Sequence, residues 1–254
     1  VTERFLEDRA ALVTAGSRKL GAAIATALAA RGADVAVNYR ESADAAGALV
    51  DSLPGGGRNH VAVQGDAGTS DGMRRLVRDA GHALDGRTIQ VLINNHGPFA
   101  MTPFAEMAED EWDRVWNANV KSAFVAIQEL VPGMRAAGWG RIVNVSAGSA
   151  YLRNHSIYSL AKASVSTLTE SLAIELGPDI RVNAVTPGQI AESAADISEF
   201  DPGFVERAVA HTPLGRLVTR AEVAAIVAEL CGPLFDGVTG ATIPIDGGWR
   251  LPRF

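Results

Sequence analysis

Seven short β-prone runs alternate with longer helix-period segments along the whole chain, and this alternation constrains the fold more than any other feature. The runs are Ala11–Val13, Val35–Asn38, His60–Gln64, Gln90–Ile93, Arg141–Val145, Ile180–Val185 and Thr242–Ile245. Between them lie helical stretches over Gly21–Arg31, Ala43–Leu53, Ser70–Leu84, Glu109–Ala137, Ile157–Leu176 and Ala221–Leu230. Strands such as Val91-Leu92-Ile93 are apolar at consecutive positions, as required when helices cover both faces of a sheet. Repeated βαβ units impose right-handed crossovers and parallel strands. The expected architecture is therefore α/β: one doubly wound parallel sheet of about seven strands with helices on both faces.

A length of 254 residues with 47% apolar content suits one large domain, and no Pro-, Gly- or Ser-rich linker divides it. Lys+Arg 23 against Asp+Glu 29 leaves a net charge of −6, which argues against a general nucleic-acid or anionic-membrane binder. Val1 to Arg9 is polar with no apolar run, so no signal peptide is expected. Leu20–Ala30 is too short to span a bilayer, and a soluble cytoplasmic protein is the expectation. Cys231, the single cysteine, excludes an internal disulfide and reads as a small core residue. Pro54-Gly55-Gly56-Gly57 reads as a surface turn. Gln189–Pro213 is long and poorly periodic, either a lid over a substrate or a plain surface loop.

The first strand runs into Thr14-Ala15-Gly16-Ser17-Arg18-Lys19-Leu20-Gly21 and then a helix. Such a small-residue turn brings backbone N–H groups and a helix N-terminus close to a phosphate, the arrangement of the Rossmann fold. Strand two ends at Asn38-Tyr39-Arg40, where a carboxylate usually selects NAD. Arg18, Lys19 and Arg40 instead place positive charge where an adenosine 2′-phosphate would sit, which points to NADP(H) rather than NAD. The alternative is three solvated surface cations.

The order and spacing of several segments resemble the short-chain dehydrogenase/reductase family, in particular its 3-oxoacyl-carrier-protein reductases, over almost the whole chain. Thr14–Gly21 is similar to the family's TGxxxGxG turn. Gly65-Asp66-Ala67 resembles its adenine-contacting segment. Asn94-Asn95-His96-Gly97 resembles NNAG, and Asn119 resembles the helix-four asparagine. Tyr158-Ser159-Leu160-Ala161-Lys162 matches YxxxK. Pro187-Gly188-Gln189-Ile190 is similar to the nicotinamide-amide segment, and Ile245-Asp246-Gly247-Gly248 to the C-terminal DGG turn. The resemblance implies a cofactor site built from Ala15, Ser17, Arg18, Lys19, Leu20, Gly21, Asn38, Tyr39, Arg40, Asp66, Ala67, Asn95, His96, Gly97, Tyr158, Lys162, Pro187, Gly188 and Ile190. It also implies a homodimer or homotetramer.

Tyr158 and Lys162 are four residues apart, so on a helix they share one face. A phenol with a pKa of about 10 is a poor base at neutral pH, and a neighbouring ammonium favours its ionised form. In the family the lysine also holds the nicotinamide ribose, and the Asn119-like residue anchors a relay water. Trp112 and Trp116 read as core or interface.

The chain departs from the family pattern in three places. Ala15 and Lys19 replace glycines of the turn, Lys19 pointing either to a backbone that avoids positive φ or to a phosphate contact. His96 replaces alanine, as a pocket wall or as a hydrogen-bonded structural residue. Ala147 stands where the family has its carbonyl-polarising serine. By strand alternation Ser146 faces away, and Ser149 is the expected substitute if the chain stays extended past Gly148.

Two functions follow. One is an NADP(H)-dependent ketoreductase acting on a β-keto acyl, small-molecule or acyl-carrier-bound, or on a cyclic, polyketide-like ketone. The other is a nucleotide-binding sensor or structural subunit that keeps the fold with impaired catalysis. No metal site is expected.

Overall fold

In the computed structural model, which describes residues 3–55, 59–151, 156–199 and 201–251, the strands form one parallel sheet. They are β1 (Ala10–Val13), β2 (Asp34–Tyr39), β3 (Val61–Gln64), β4 (Ile89–Asn94), β5 (Gly140–Val145), β6 (Ile180–Pro187) and β7 (Thr242–Ile245). Their order is β3-β2-β1-β4-β5-β6-β7. Ala11 pairs with Val35 on one side and with Val91 on the other. The chain winds outward from β1 in one direction and then from β4 in the other. A crevice therefore opens at the carboxyl ends of β1 and β4, where ligands of such sheets bind.

Strand alternation sorts the core into two layers. Ala11, Val13, Val35, Val37, Ile93 and Val143 face α1 (Lys19–Ala30), α2 (Ala43–Ser52) and α9 (Arg220–Glu229). Ala10, Leu12, Ala36, Leu92, Ile142 and Val182 face α3 (Ser70–Ala83), α5 (Ser122–Ala136) and α6 (Ile157–Leu176). Burial on both sides explains why β1, β4 and β5 carry no exposed position. Cys231 is buried in the first layer, its Sγ–H donating to the Val227 carbonyl. Among the described residues no helix is long and apolar enough to cross a membrane.

The single helix expected over Glu109–Ala137 is corrected. α4 (Glu109–Trp116) leads into a π turn at Asn117–Lys121, and α5 follows. No glycine, proline or polar run marks this interruption, so periodicity alone reads straight through it. Gln189–Pro213 is not an irregular loop either: it holds α7 (Ala191–Ser198) and α8 (Phe204–Ala210), joined by a small core of Ala194, Ala208 and Leu217. Both helices are too short for a periodic signal to emerge from the sequence. Gly56 and Gly57 of the expected turn lie outside the described residues.

Candidate functional site

The crevice at the β1/β4 switch is a cavity of about 620 Å³. Its walls include the turn from Ser17 to Gly21, the β2 end from Asn38 to Arg40, Asp66 and Ala67, and the β4 end from Asn95 to Gly97. Ala15 also lines it. The sequence expectation thus brought together residues from four separated segments. Glu41, Ser42, Gly65 and Pro98 were missed: Glu41 lies one residue past Arg40, beyond the β2 end where an acid is expected, and the other three carry no distinctive side chain. Pro187, Gly188 and Ile190 do not line this cavity. Pro187 closes β6, the Gly188 N–H donates to the Ile245 carbonyl, and Ile190 forms a bridge with Val218.

The turn is held by a satisfied hydrogen-bond network. The Asn38 side chain accepts from the Ala15 N–H at 2.9 Å and donates to the Gly65 carbonyl at 3.0 Å, tying β1, β2 and β3 together. Asn95 Nδ2 donates to the Thr14 and Ala15 carbonyls, while Thr14 Oγ1 accepts from the Asn95 and His96 N–H groups. The side chains of Asn38 and Asn95 thus shape the cleft by fixing backbone. A Cβ on Gly21 would collide with the Ala15 carbonyl and stand 2.8 Å from Asn95 Nδ2, so the helix can enter this closely only with glycine there.

Ala15 (φ 49°) and Lys19 (φ 50°) both adopt the left-handed conformation. The backbone that favours glycine is therefore retained at the two substituted positions, and Lys19 does not avoid positive φ. Its ammonium instead pairs with Asp196 of α7 at 2.9 Å. Arg40 pairs with Glu41 at 2.8 Å. Arg18, exposed ahead of α1, has no ion pair among the described residues.

His96 is half-buried, with Nε2 3.3 Å from where a Cβ on Gly68 would lie. It faces the Asp66 end of the cleft. Burial, reinforced by the Lys162 charge, lowers its pKa and keeps the imidazole neutral.

The second cluster gathers at the ends of β4 and β5. Ser156 caps α6, its Oγ accepting from the Ser159 N–H at 3.1 Å, and this sets Tyr158 in the first turn and Lys162 one turn later. Lys162 is buried. Its Nζ donates to the Val145 carbonyl at 2.8 Å and lies 5.6 Å from the centre of the Tyr158 ring. Asn119, in the π turn, donates through Nδ2 to the Val115 and Pro98 carbonyls, leaving its buried Oδ1 without a partner. A Cβ on Gly97 would collide with that Oδ1 and stand 2.8 Å from Lys162 Nζ. Gly97 thus marks the place where both groups converge.

Burial raises the Tyr158 phenol to about 12 and lowers the Lys162 ammonium to about 8. The sequence suggested that Lys162 would lower the phenol. In the protein desolvation of the half-buried ring raises it instead. Tyr158 therefore holds its proton at neutral pH, and Lys162 is mostly charged.

The hydroxyls around Ala147 separate clearly. Ser146 Oγ donates to the Lys162 carbonyl at 2.7 Å and supports α6 from behind. Past Ala147 the chain curls into a 3₁₀ turn at Gly148–Ala150, so the argument from extended-strand alternation does not apply to Ser149. Its Oγ is nevertheless buried and without a hydrogen-bond partner.

Fold and cleft together define an α/β domain of the dinucleotide-binding type, with Tyr158, Lys162 and Asn119 gathered beside the cavity. A family model described as Enoyl-(Acyl carrier protein) reductase matches residues 14–250. The chain is 35% identical over 255 residues to a tropinone reductase homolog of Arabidopsis thaliana, across 98% of this chain and 95% of that protein. A blue fluorescent protein from a metagenomic library, solved with NADPH, matches with a TM-score of 0.84 at 35% identity, over 96% of this chain and 99% of that one. A 7α-hydroxysteroid dehydrogenase, solved with NADH and 7-oxo glycochenodeoxycholic acid, matches with a TM-score of 0.88 at 29% identity, over 96% and 94%. The chain belongs to the short-chain dehydrogenase/reductase family of oxidoreductases, whose fold binds a nicotinamide cofactor.

Proposed function

We propose that this protein is an NADP(H)-dependent reductase that converts a ketone to a secondary alcohol, with Tyr158 as proton donor. The observation that carries the reading is the convergence of Lys162 Nζ and the unpartnered Asn119 Oδ1 on Gly97, next to Tyr158 and a dinucleotide-sized cleft. The buried Asn119 Oδ1, left without a partner beside the cleft, fits a site completed by a bound cofactor and water. Backbone from Ser17 to Gly21 would hold the pyrophosphate, Arg18 and Arg40 the 2′-phosphate, and Lys162 the nicotinamide ribose. When bound, the reduced nicotinamide supplies two electrons and one hydrogen as hydride to the carbonyl carbon.

This chain's own residues supply the proton and the charge. Tyr158, protonated at neutral pH, donates its phenolic hydrogen to the carbonyl oxygen as the C=O π bond breaks. The Lys162 charge stabilises the phenolate left behind, and its anchoring on Val145 holds that charge in place. Asn119 Oδ1 accepts from a water that returns a proton to the site. Ser149, with its free hydroxyl, is the group available to polarise the carbonyl in place of the serine absent at Ala147. α7 and α8, within Gln189–Pro213, serve as the substrate-side cover. Exposed Phe104 ahead of α4, Trp112 on α4 and Phe124 on α5 support a homo-oligomer.

Of the two substrate classes, the cyclic one is favoured by the relatives: one is named for tropinone, and another was solved with a 7-oxo bile acid. The test is NADPH oxidation across a ketone panel with wild type and Tyr158→Phe. The variant should lose about 10²–10⁴-fold in kcat while binding NADPH normally. Full turnover by Tyr158→Phe would remove the acid/base assignment. Tight NADPH binding without turnover, in wild type and in Ala147→Ser, would favour the sensor instead.

A further inference from the structure

We propose that Phe99 is a specificity-determining residue, selecting ketones carried on flat fused rings over linear acyl ketones. This rests on the reductase reading above and specifies the substrate face of the same site.

Phe99 lies two residues beyond Gly97, where the candidate catalytic groups converge. Its ring meets that of Tyr158 at 69°, with centroids 5.0 Å apart. The preceding residue is fixed, because the Pro98 carbonyl accepts from Asn119 Nδ2 at 3.0 Å. Phe99 therefore leaves the catalytic cluster from an anchored backbone and touches the proton donor itself. Yet it is 64% exposed.

A phenylalanine carries a large apolar surface that folding ordinarily removes from water. Here the ring is held against Tyr158 with most of its surface open. The next alternate residue, Met101, is 57% exposed, and Tyr151, on the segment after β5, is 43% exposed. The two segments leave adjacent strands at the same edge of the sheet. Aromatic rings gain most from offset or edge contacts with other flat π or alicyclic surfaces, whereas a flexible chain loses rotamer freedom for less contact.

Charge points the same way. From Gly97 to Ala105 no residue is charged, so this wall offers nothing to a phosphorylated or acidic carrier of a linear acyl chain. A ring whose sole purpose was to prop Tyr158 would be packed from behind as well as in front. Phe99 is packed on one side only, which leaves a face for substrate.

The experiment compares kcat/KM for 2-tetralone, a flat bicyclic ketone, with that for the linear acetoacetyl-N-acetylcysteamine. Both are measured with NADPH on the full chain, in wild type, Phe99→Ala, Phe99→Leu and Phe99→Tyr. Because Phe99 is mostly exposed, these substitutions leave the core intact. Wild type should prefer the bicyclic ketone. The ratio of the two kcat/KM values should fall about tenfold in Phe99→Ala and Phe99→Leu and be largely restored in Phe99→Tyr.

An equal fall for both ketones would make Phe99 a support for Tyr158 and overturn the proposal, as would an unchanged ratio. Wild-type turnover of the linear ketone alone overturns the ring preference but leaves the reductase reading standing. Turnover of neither removes both.

Discussion

The nucleotide cleft and the Tyr158 cluster sit side by side at one edge of the sheet, but they are built on opposite principles. In the cleft the side chains of Thr14, Asn38 and Asn95 are engaged in hydrogen bonds to backbone and fix the shape of its walls. Around Tyr158 polar atoms are left open. Asn119 Oδ1 and Ser149 Oγ are both buried there without a hydrogen-bond partner. A binding surface gains from rigidity, so its polar groups are closed off. A reacting surface must present atoms whose hydrogen bonds are completed by substrate or water.

That contrast can be broken most forcefully at Gly97. An alanine there pushes on both Asn119 Oδ1 and Lys162 Nζ, and kcat should fall about 100-fold. Gly97 also lines the cleft, but the turn from Ser17 to Gly21 is untouched, so NADPH affinity should fall less than kcat. A parallel loss of affinity, read by fluorescence titration, would mean that the two regions are one unit.

A smaller but diagnostic effect concerns pH. Lys162, lowered to about 8, is charged below that value and neutral above it. Phenolate stabilisation is therefore complete at pH 7 and lost as pH rises through 8. Steady-state kcat/KM for ketone reduction should fall about tenfold per unit on the alkaline side. Arginine stays protonated throughout, so Lys162→Arg, though slower, should lose this inflection. A wild-type profile flat to pH 10 would show that the charge of Lys162 plays no part.

On the nucleotide side, Arg40→Asp should lower kcat/KM with NADPH by about 10–100-fold and raise it with NADH. This is the loss expected for a charge-assisted hydrogen bond worth about 1.5–3 kcal/mol. Because Arg40 already pairs with Glu41, the lower end is expected. An unchanged cofactor ratio would assign the cluster of cations to the surface rather than to the 2′-phosphate.

The smallest effect is one of stability. Ala15 sits at φ 49°, a conformation that glycine adopts freely. Ala15→Gly should stabilise the fold by up to about 1 kcal/mol, after the added chain entropy of glycine offsets part of the relieved strain. Denaturant unfolding that shows destabilisation would mean that the turn is not strained.

Much of the fold was legible because its signals are local or periodic. All seven strands fall where β-prone runs lie, and in β1, β4 and β5 burial on both faces demands consecutive buried residues. The Tyr158–Lys162 spacing was legible for the same reason: four residues on a helix is a fixed geometric offset. The π turn at Asn117–Lys121 was not legible. It adds a residue to one helical turn without a breaker, and only packing against Pro98 and α6 shows what it does to Asn119. Nor was the raised pKa of Tyr158, because charge attraction can be guessed from spacing while desolvation depends on everything that surrounds the ring.

By itself, then, the sequence determined the class of sheet, the order of its segments and the shared helix face of Tyr158 and Lys162, all of which follow from periodicity and short-range spacing. Tertiary structure alone decided which polar atoms stay unpartnered. It set Ser146 behind α6 and left the Ser149 hydroxyl free, and it kept Ala15 and Lys19 left-handed despite their side chains. It also placed the Phe99 ring on Tyr158. Each of these depends on contacts between residues far apart in the chain, whose energies have no trace in local pattern.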